Sequence, residues 1–463
     1  MLSLLNPSVR LCDGLARREF LRVGALSCFG MTWAPHLLRA DDSTAEQGRP
    51  AKRCILLFLL GGPPQHATWD PKPRAPSEIR GPFGAISTNV PGLQIGELLP
   101  MTAQHMDKVA VLRGVSTGDH AHSSSGYAML TGHSHLPLNF ENANPGAPND
   151  WPTMAAVVQH LRSGNQTLPA AVRLPHHIYN TDQSVWPGQD AGFLGSTDDP
   201  WLFRCQPASA DFRIPEFQLV PDVPLGRLDS RRQLLRQLDA RLQLLESQDK
   251  LAAFDHRKLQ AFKLLSSPEA KQAFDLSAEP EQVRDRYGRG QFGQSVLLAR
   301  RLVESGVSIV QVNWFRGADE PPENPCWDSH VNEPPRLKEA LMPPFDQAYS
   351  ALLEDLAQRG LLEDTLVACL AEFGRTPKMN ARAGRDHWGH VFSVALAGGG
   401  VRGGVVHGAS DNQGAYVQSG LVRPQDLTAT IFHCLGYAPT TEIHDRLGRP
   451  FPISRGEPIR EIL

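Results

Sequence analysis

Residues 54–70 read CILLFLLGGPPQHATWD: seven apolar residues, a double-glycine break at Gly61 and Gly62, then Gln65, His66 and Asp70. An apolar run this short, closed by glycine, reads as a strand buried on both faces. The same form recurs at 109–112, 171–174, 307–314, 366–370 and 392–397. Their length, β-branched content and Gly or Pro flanks favour parallel central strands. Between them lie helical stretches at 230–245, 251–265, 291–305, 343–359 and 424–435, the third carrying Val296, Leu297, Ala299, Leu302 and Val303 as an apolar stripe. Strands alternating with helices predict an α/β fold, three-layer α/β/α around a mostly parallel central sheet.

Residues 1–40 differ from the rest of the chain. Arg17 and Arg18 precede EFLR and a weakly apolar run over 23–33, a pattern close to a twin-arginine secretory leader that ends near Ala40. The expected organisation is therefore a leader at 1–40 and one α/β domain over 41–463, exported to the periplasm or beyond. That apolar run of about 11 residues is too short for a transmembrane helix of roughly 20 residues, and no later run reaches 18, so no membrane anchor is expected once the leader is cut. Without residues 1–40 the chain keeps 41 basic against 47 acidic residues, and no basic stripe points to nucleic acid. Five cysteines remain, Cys54, Cys205, Cys326, Cys369 and Cys434, with no CxxC pair to suggest zinc or redox chemistry. The stretch 225–289, rich in Arg, Gln and Leu, is expected to be a helical insertion without strands. Segments 140–150 and 186–221, rich in Pro, Gly, Asn and Asp, read as long loops of the kind that wall a binding site.

In such a sheet, ligands bind beyond the carboxyl ends of the strands. The polar residues that follow the runs are Gln65, His66 and Asp70; Arg113, Asp119, His120 and His122; Asp328 and His330; and Glu372 and Arg375, while Asp386, His387 and His390 precede the last long run. Imidazole with carboxylate is a donor set for a divalent cation: zinc and manganese accept both, whereas magnesium and calcium prefer oxygen. Taken singly, Asp328-x-His330 and Asp386-His387 read as hydrogen-bonded loop residues or caps. Their joint placement carries the metal reading. The pairs His120/His122 and His133/His135 have chelating spacing on an extended segment. Ser123, Ser124 and Ser125 are candidate nucleophiles without a GxSxG elbow, and a helix start explains them equally well; the glycines from Gly398 to Gly404 lack the Lys of a phosphate-binding loop and read as a turn.

The ordered motifs RREFL, LLGGPPQHATWDPKP, SSSGYAMLTGH, CWDSH, EDLAQRGLLEDTLVACLAEFGRTP, AGRDHWGHVFSVALAGGG and DRLGRPFPI resemble a large bacterial family of exported proteins of unknown function, domain-of-unknown-function family 1501. That family looks like a sulfatase-like branch of the alkaline phosphatase superfamily. The resemblance implies an alkaline-phosphatase-like fold and, in active members, two-metal hydrolysis of phosphate or sulfate esters. Carried over by position, His122 stands where that superfamily has its nucleophile, and no CxPxR marks a formylglycine. Asp328, His330 and His387 match the first metal site, with Asp386 beside them. Glu372 matches one acid of the second site, whose other ligands are replaced by Phe373, Gly61 and Gly62. One metal site is thus expected, its ion zinc, calcium, magnesium or manganese.

Two functions compete. One is a one-metal hydrolase of a small-molecule or glycan ester, with His122 at the nucleophile position, Glu372 as base and Arg113 or Arg375 steadying the anion. The other is a catalytically inactive binding or assembly protein that keeps the fold.

Overall fold

The computed structural model describes residues 51–162, 167–180, 182–210, 212, 214, 260–314 and 323–463. The leader, the expected helix at 230–245 and most of that at 251–265 lie outside the described residues.

Eight strands form one sheet: β1 (Arg53–Phe58), β2 (Val109–Val115), β3 (Ala171–Leu174), β4 (Trp201–Leu202), β5 (Ile309–Asn313), β6 (Thr365–Leu370), β7 (Phe392–Ala397) and β8 (Val405–His407). Their order is β8-β2-β7-β6-β1-β5-β3-β4. At the centre β1 runs parallel to β5 and β6, with Cys54 opposite Ile309 on one side and Leu366 on the other. β3 is parallel to β5 and β4, and β8 to β2. Only β7 runs against its neighbours, antiparallel to both β2 and β6. It was expected to be parallel. An apolar run buried on both faces looks the same in either direction, so composition could not reveal the reversal.

Every residue from Cys54 to Phe58, and all of β5 and β6, is buried. A strand buried on both faces requires cover above and below, and helices supply it. Named in chain order they are α1 (His122–Thr131), α2 (Met154–Leu161), α3 (Gln291–Glu304), α4 (Met342–Gln358) and α5 (Pro424–Cys434). α3 lies on β1 and β5, α4 packs on α3, α2 meets β3 and β5, and α5 meets α1. The serine run does open a helix, α1. The described part of the expected insertion is helical at 260–266, Pro268–Phe274 and Glu281–Tyr287 and contains no strand. This layer is fastened by the buried Arg300 of α3, which pairs with Glu279 (2.8 Å) and with Asp355 of α4 (2.9 Å). Among the described residues no helix is long and apolar enough to cross a membrane.

No disulfide joins the five cysteines, and Cys54, Cys326, Cys369 and Cys434 are buried. Burial pushes the Cys54 and Cys369 thiols far up and that of Cys434 up to about 12. Since the thiolate is the reactive form, iodoacetamide at pH 8 should alkylate Cys205 in the native protein and spare the other four until denaturant is added. Peptide mass spectrometry of timed samples reads this out, and rapid native labelling of Cys54 or Cys369 would contradict the packing.

Candidate metal centre

The carboxyl edge of the sheet collects five segments. β1 ends at the Gly61-Gly62 turn, β6 ends just before Glu372, and β2 leads through Asp119 into α1, whose first residue is His122. β7 runs the other way, so its beginning lies at this same edge. It is preceded by a two-residue hairpin pairing Gly374–Arg375 with His387–Trp388, in which Arg375 stands opposite His387. The loop carrying Asp328 and His330 is pinned there from two sides: Arg385 N donates to Ser329 O (3.0 Å), and Asn380 Nδ2 to His330 O (3.0 Å).

Three imidazoles converge on one carboxylate. His330 Nε2 lies 2.9 Å and His387 Nε2 3.1 Å from Asp328 Oδ1, and His122 Nε2 lies 3.2 Å from Oδ2. His122, Asp328 and His387 offer ligand atoms all within 4.8 Å of one another, and His330 Nε2 is 2.9 Å from His387 Nε2. Behind each ring stands an acceptor for its other nitrogen. His122 Nδ1 meets Glu372 Oε1 at 2.8 Å, His330 Nδ1 meets Asp386 Oδ1 at 2.8 Å, and His387 Nδ1 meets His120 O at 2.7 Å. An Nδ1–H held in this way fixes the tautomer and leaves Nε2 as the free donor, which is how metal-binding histidines are normally oriented.

The supporting groups are themselves tied down. Glu372 is fully buried, and its Oε1 also accepts Gly61 N (2.8 Å). Arg375, equally buried, donates to Asp328 Oδ1 (2.6 Å), Gly62 O (3.0 Å), Arg385 O (3.1 Å) and Gly61 O. Gln65 clamps the Arg375 backbone, accepting from its N (2.9 Å) and donating to its O (2.9 Å). Charge follows from this packing. Burial would raise the Asp328 carboxyl, yet His122 and Arg375 hold it well below the usual range. Burial likewise opposes charge on His122, but Asp328 and Glu372 lift it to about 10, and the bond to Asp328 raises His330. His387 is pushed down to about 3, first by burial and then by the charge on His122.

Asp328, His330, His387 and Asp386 are all at the cluster, but Asp386 stands behind His330 as its acceptor. His122, expected at the nucleophile position, turns its Nε2 toward Asp328 and joins the imidazole set. Glu372 supports His122 from a buried position, which leaves it no access to an incoming water. Arg375 spends its donors on Asp328 and backbone carbonyls, so it anchors a ligand and does not face a substrate anion. Arg113 is not brought here: its Nε donates to Trp69 O (2.8 Å) and its Nη2 to Gln94 O (2.9 Å). Of the other histidines, His120 contributes its carbonyl while its ring accepts Gly389 N, His133 stacks on Trp151, and His135 bonds Pro137 O. Sequence reading missed Glu141, whose Oε1 accepts His122 N (2.8 Å) and lies 3.8 Å from His387 Nδ1. Its only signal was membership of the long loop 140–150.

A family model described as "Protein of unknown function (DUF1501)" matches residues 51–463. The chain belongs to this family. No curated protein matches this DUF1501 member in sequence. Solved structures that match it include PsFucS1 sulfatase from Pseudoalteromonas sp., 13% identical with a TM-score of 0.37, over 90% of this chain and 71% of that one. Another is the phosphonate monoester hydrolase of Agrobacterium radiobacter, 11% identical with a TM-score of 0.39, over 89% and 76%. A third is the phosphonate monoester hydrolase SpPMH from Silicibacter pomeroyi, 13% identical with a TM-score of 0.34, over 88% and 76%. Scores below 0.5 leave the chemistry of the DUF1501 chain to be argued from its own side chains.

Gly61 gives a direct check of the cluster's packing. Its φ is +108°, and an added Cβ would fall 2.4 Å from Asp328 N and 2.7 Å from Trp327 N. Gly61→Ala should cost about 1–3 kcal/mol from backbone strain alone, with the clash on top. Urea unfolding should therefore show a clearly lower midpoint at an unchanged slope.

Proposed function

We propose that this DUF1501 chain is an exported hydrolase of sulfate or phosphate esters that works with one divalent cation and without formylglycine. The observation that carries the proposal is the convergence of three imidazole Nε2 atoms and one carboxylate, each imidazole backed by an acceptor at Nδ1. A structural histidine needs no such common focus. His122, Asp328, His330 and His387 would hold the ion, and a set so rich in nitrogen suits zinc or manganese better than calcium or magnesium. A bound cation would supply Lewis-acid polarisation of an ester oxygen and a water acidic enough to attack near neutral pH.

The chain's own residues do the positioning. Arg375 holds Asp328 in place, while Glu372, Asp386 and the His120 carbonyl set the three rings. Glu141, its side chain 44% exposed beside His122 and His387, is the carboxylate at the mouth of the cluster. A second reading, an inert binding protein, is favoured by one observation: Glu372 and Arg375, the residues expected to act on substrate, are both buried and committed to the scaffold.

Elemental analysis of the exported, folded protein should find about one divalent metal per chain, and His387→Ala should remove it together with turnover of aryl sulfate and aryl phosphate. Metal-free wild type, or turnover that survives His387→Ala, would sink the hydrolase reading. Asp386 gives a milder lever, because it is exposed and, besides a 3.4 Å bond from Asn380 Nδ2, its carboxylate orients His330. Asp386→Ala should weaken metal affinity by about 10–100-fold while leaving the thermal unfolding of the chelated protein unchanged.

A further inference from the structure

Two stretches singled out in the sequence take no part in the metal centre: most of the loop 140–150 and the closing DRLGRPFPI at 445–453. They meet around a cavity of ≈ 460 Å³, a size within the range of about 300–1,000 Å³ usual for small-molecule sites. We propose that this cavity binds an anionic sugar, one carrying a sulfate or a carboxylate, with Arg446 holding the anion. Nothing in this requires the metal centre to be active.

The wall is apolar and the rim polar. Trp151 and Phe193 line the cavity with ring centroids 5.1 Å apart, and Leu447, 79% exposed, stands at the edge. Asp445 shapes the rim by accepting Leu447 N (2.9 Å), Arg449 N (2.9 Å) and Arg449 Nε (2.6 Å), a tight turn that leaves Arg446 and Leu447 exposed at its tip.

The lining charges are not equivalent. Asp445 is neutralised by Arg449, and Asp190 by Arg173 at 2.8 Å. Among the described residues Arg446 has no ion-pair or hydrogen-bond partner; its guanidinium rests over Gly195, with Nη2 3.4 Å from where a Cβ would stand. Arg455, which does not line the cavity, sits 5.3 Å from the centroid of the Trp151 ring.

A guanidinium fork without an acid matches the oxygens of a sulfate or carboxylate. With His133 stacked on Trp151, Phe193 and Leu447 are the apolar surface for the C–H face of a pyranose, and Asp150, also in the lining, would accept from its hydroxyls. A bare inorganic anion would leave that wall unused. A neutral sugar would leave Arg446 unpaired.

The test is calorimetric titration of the mature chain with four probes: a sulfated galactan tetrasaccharide, a tetragalacturonate, a neutral galactotetraose and inorganic sulfate. The expected result is binding of at least one charged tetrasaccharide, weakened about tenfold or more by Arg446→Ala, as loss of one charge-assisted contact implies, and unchanged by His387→Ala. The preferred charged probe then names the anion. Arg446 lies exposed at a turn tip, so the variant keeps its fold, and an unchanged thermal midpoint checks this. The proposal is overturned if no charged sugar binds, if Arg446→Ala binds it equally well, or if inorganic sulfate or galactotetraose binds as tightly. Failure here with metal found at His387 would leave the hydrolase reading standing.

Discussion

The Arg375–Asp328 contact is the pivot of this molecule's carboxyl edge. A guanidinium with no exposure must find acceptors for its donors or carry a desolvation cost of several kcal/mol. Arg375 finds them in the carbonyls of Gly61, Gly62, Trp327 and Arg385 and in the carboxylate of Asp328. One side chain thus ties the turn after β1, the loop before His330 and the hairpin that carries His387. Lysine, with a single ammonium in place of a planar fork, could not reach that many partners.

Backbone topology explains why the histidines can meet at all. A parallel strand delivers its following loop to the carboxyl edge, as β1, β6 and β2 do. β7 is reversed, so the residues before it arrive at the same edge, and His387 comes to face His122 although 265 positions separate them. Close approach then depends on bare backbone. At Gly389 a Cβ would fall 2.0 Å from Asp119 O, so only glycine lets the segment after His387 pass the loop that precedes His122.

Much of this was legible before any coordinates. Six apolar runs coincide with strands of the sheet, because a strand buried on both faces leaves an unmistakable composition. Collecting the polar residues after each run found Asp328, His330, Glu372, Arg375 and His122, because the strand-end rule fixes which loops share an edge; His387, collected from before the last run, reaches that edge through the reversal of β7. What composition could not show was the division of labour. Whether Asp386 binds a cation or orients His330 depends on which ring nitrogen it faces, and whether Arg375 meets substrate or Asp328 depends on burial. Arg113 obeyed the same rule yet turned toward Trp69 and Gln94, since an arginine is long enough to leave its strand end. Glu141 had no pattern to betray it: it reaches His122 through loop geometry, and loops carry no hydrophobic period.

The division between the two ends of loop 140–150 bears on how such a protein would hold an ester. At the candidate metal centre the carboxylates of Asp328, Glu372, Asp386 and Glu141 gather around the histidines, and Arg375, which pairs with Asp328, has its donors already engaged. Beside such acids an anionic group is favoured only where a cation compensates them. Binding energy for the rest of a substrate must then come from groups remote from the reacting bond, which is where rate enhancement commonly draws it. Glu141, near the start of the loop, stands at the cluster, while Asp150, at its end, lines the arginine-edged cavity. Nine residues of chain between two sites can span at most about 30 Å. One stretch of backbone therefore carries a residue of each site, Glu141 at the cluster and Asp150 at the cavity.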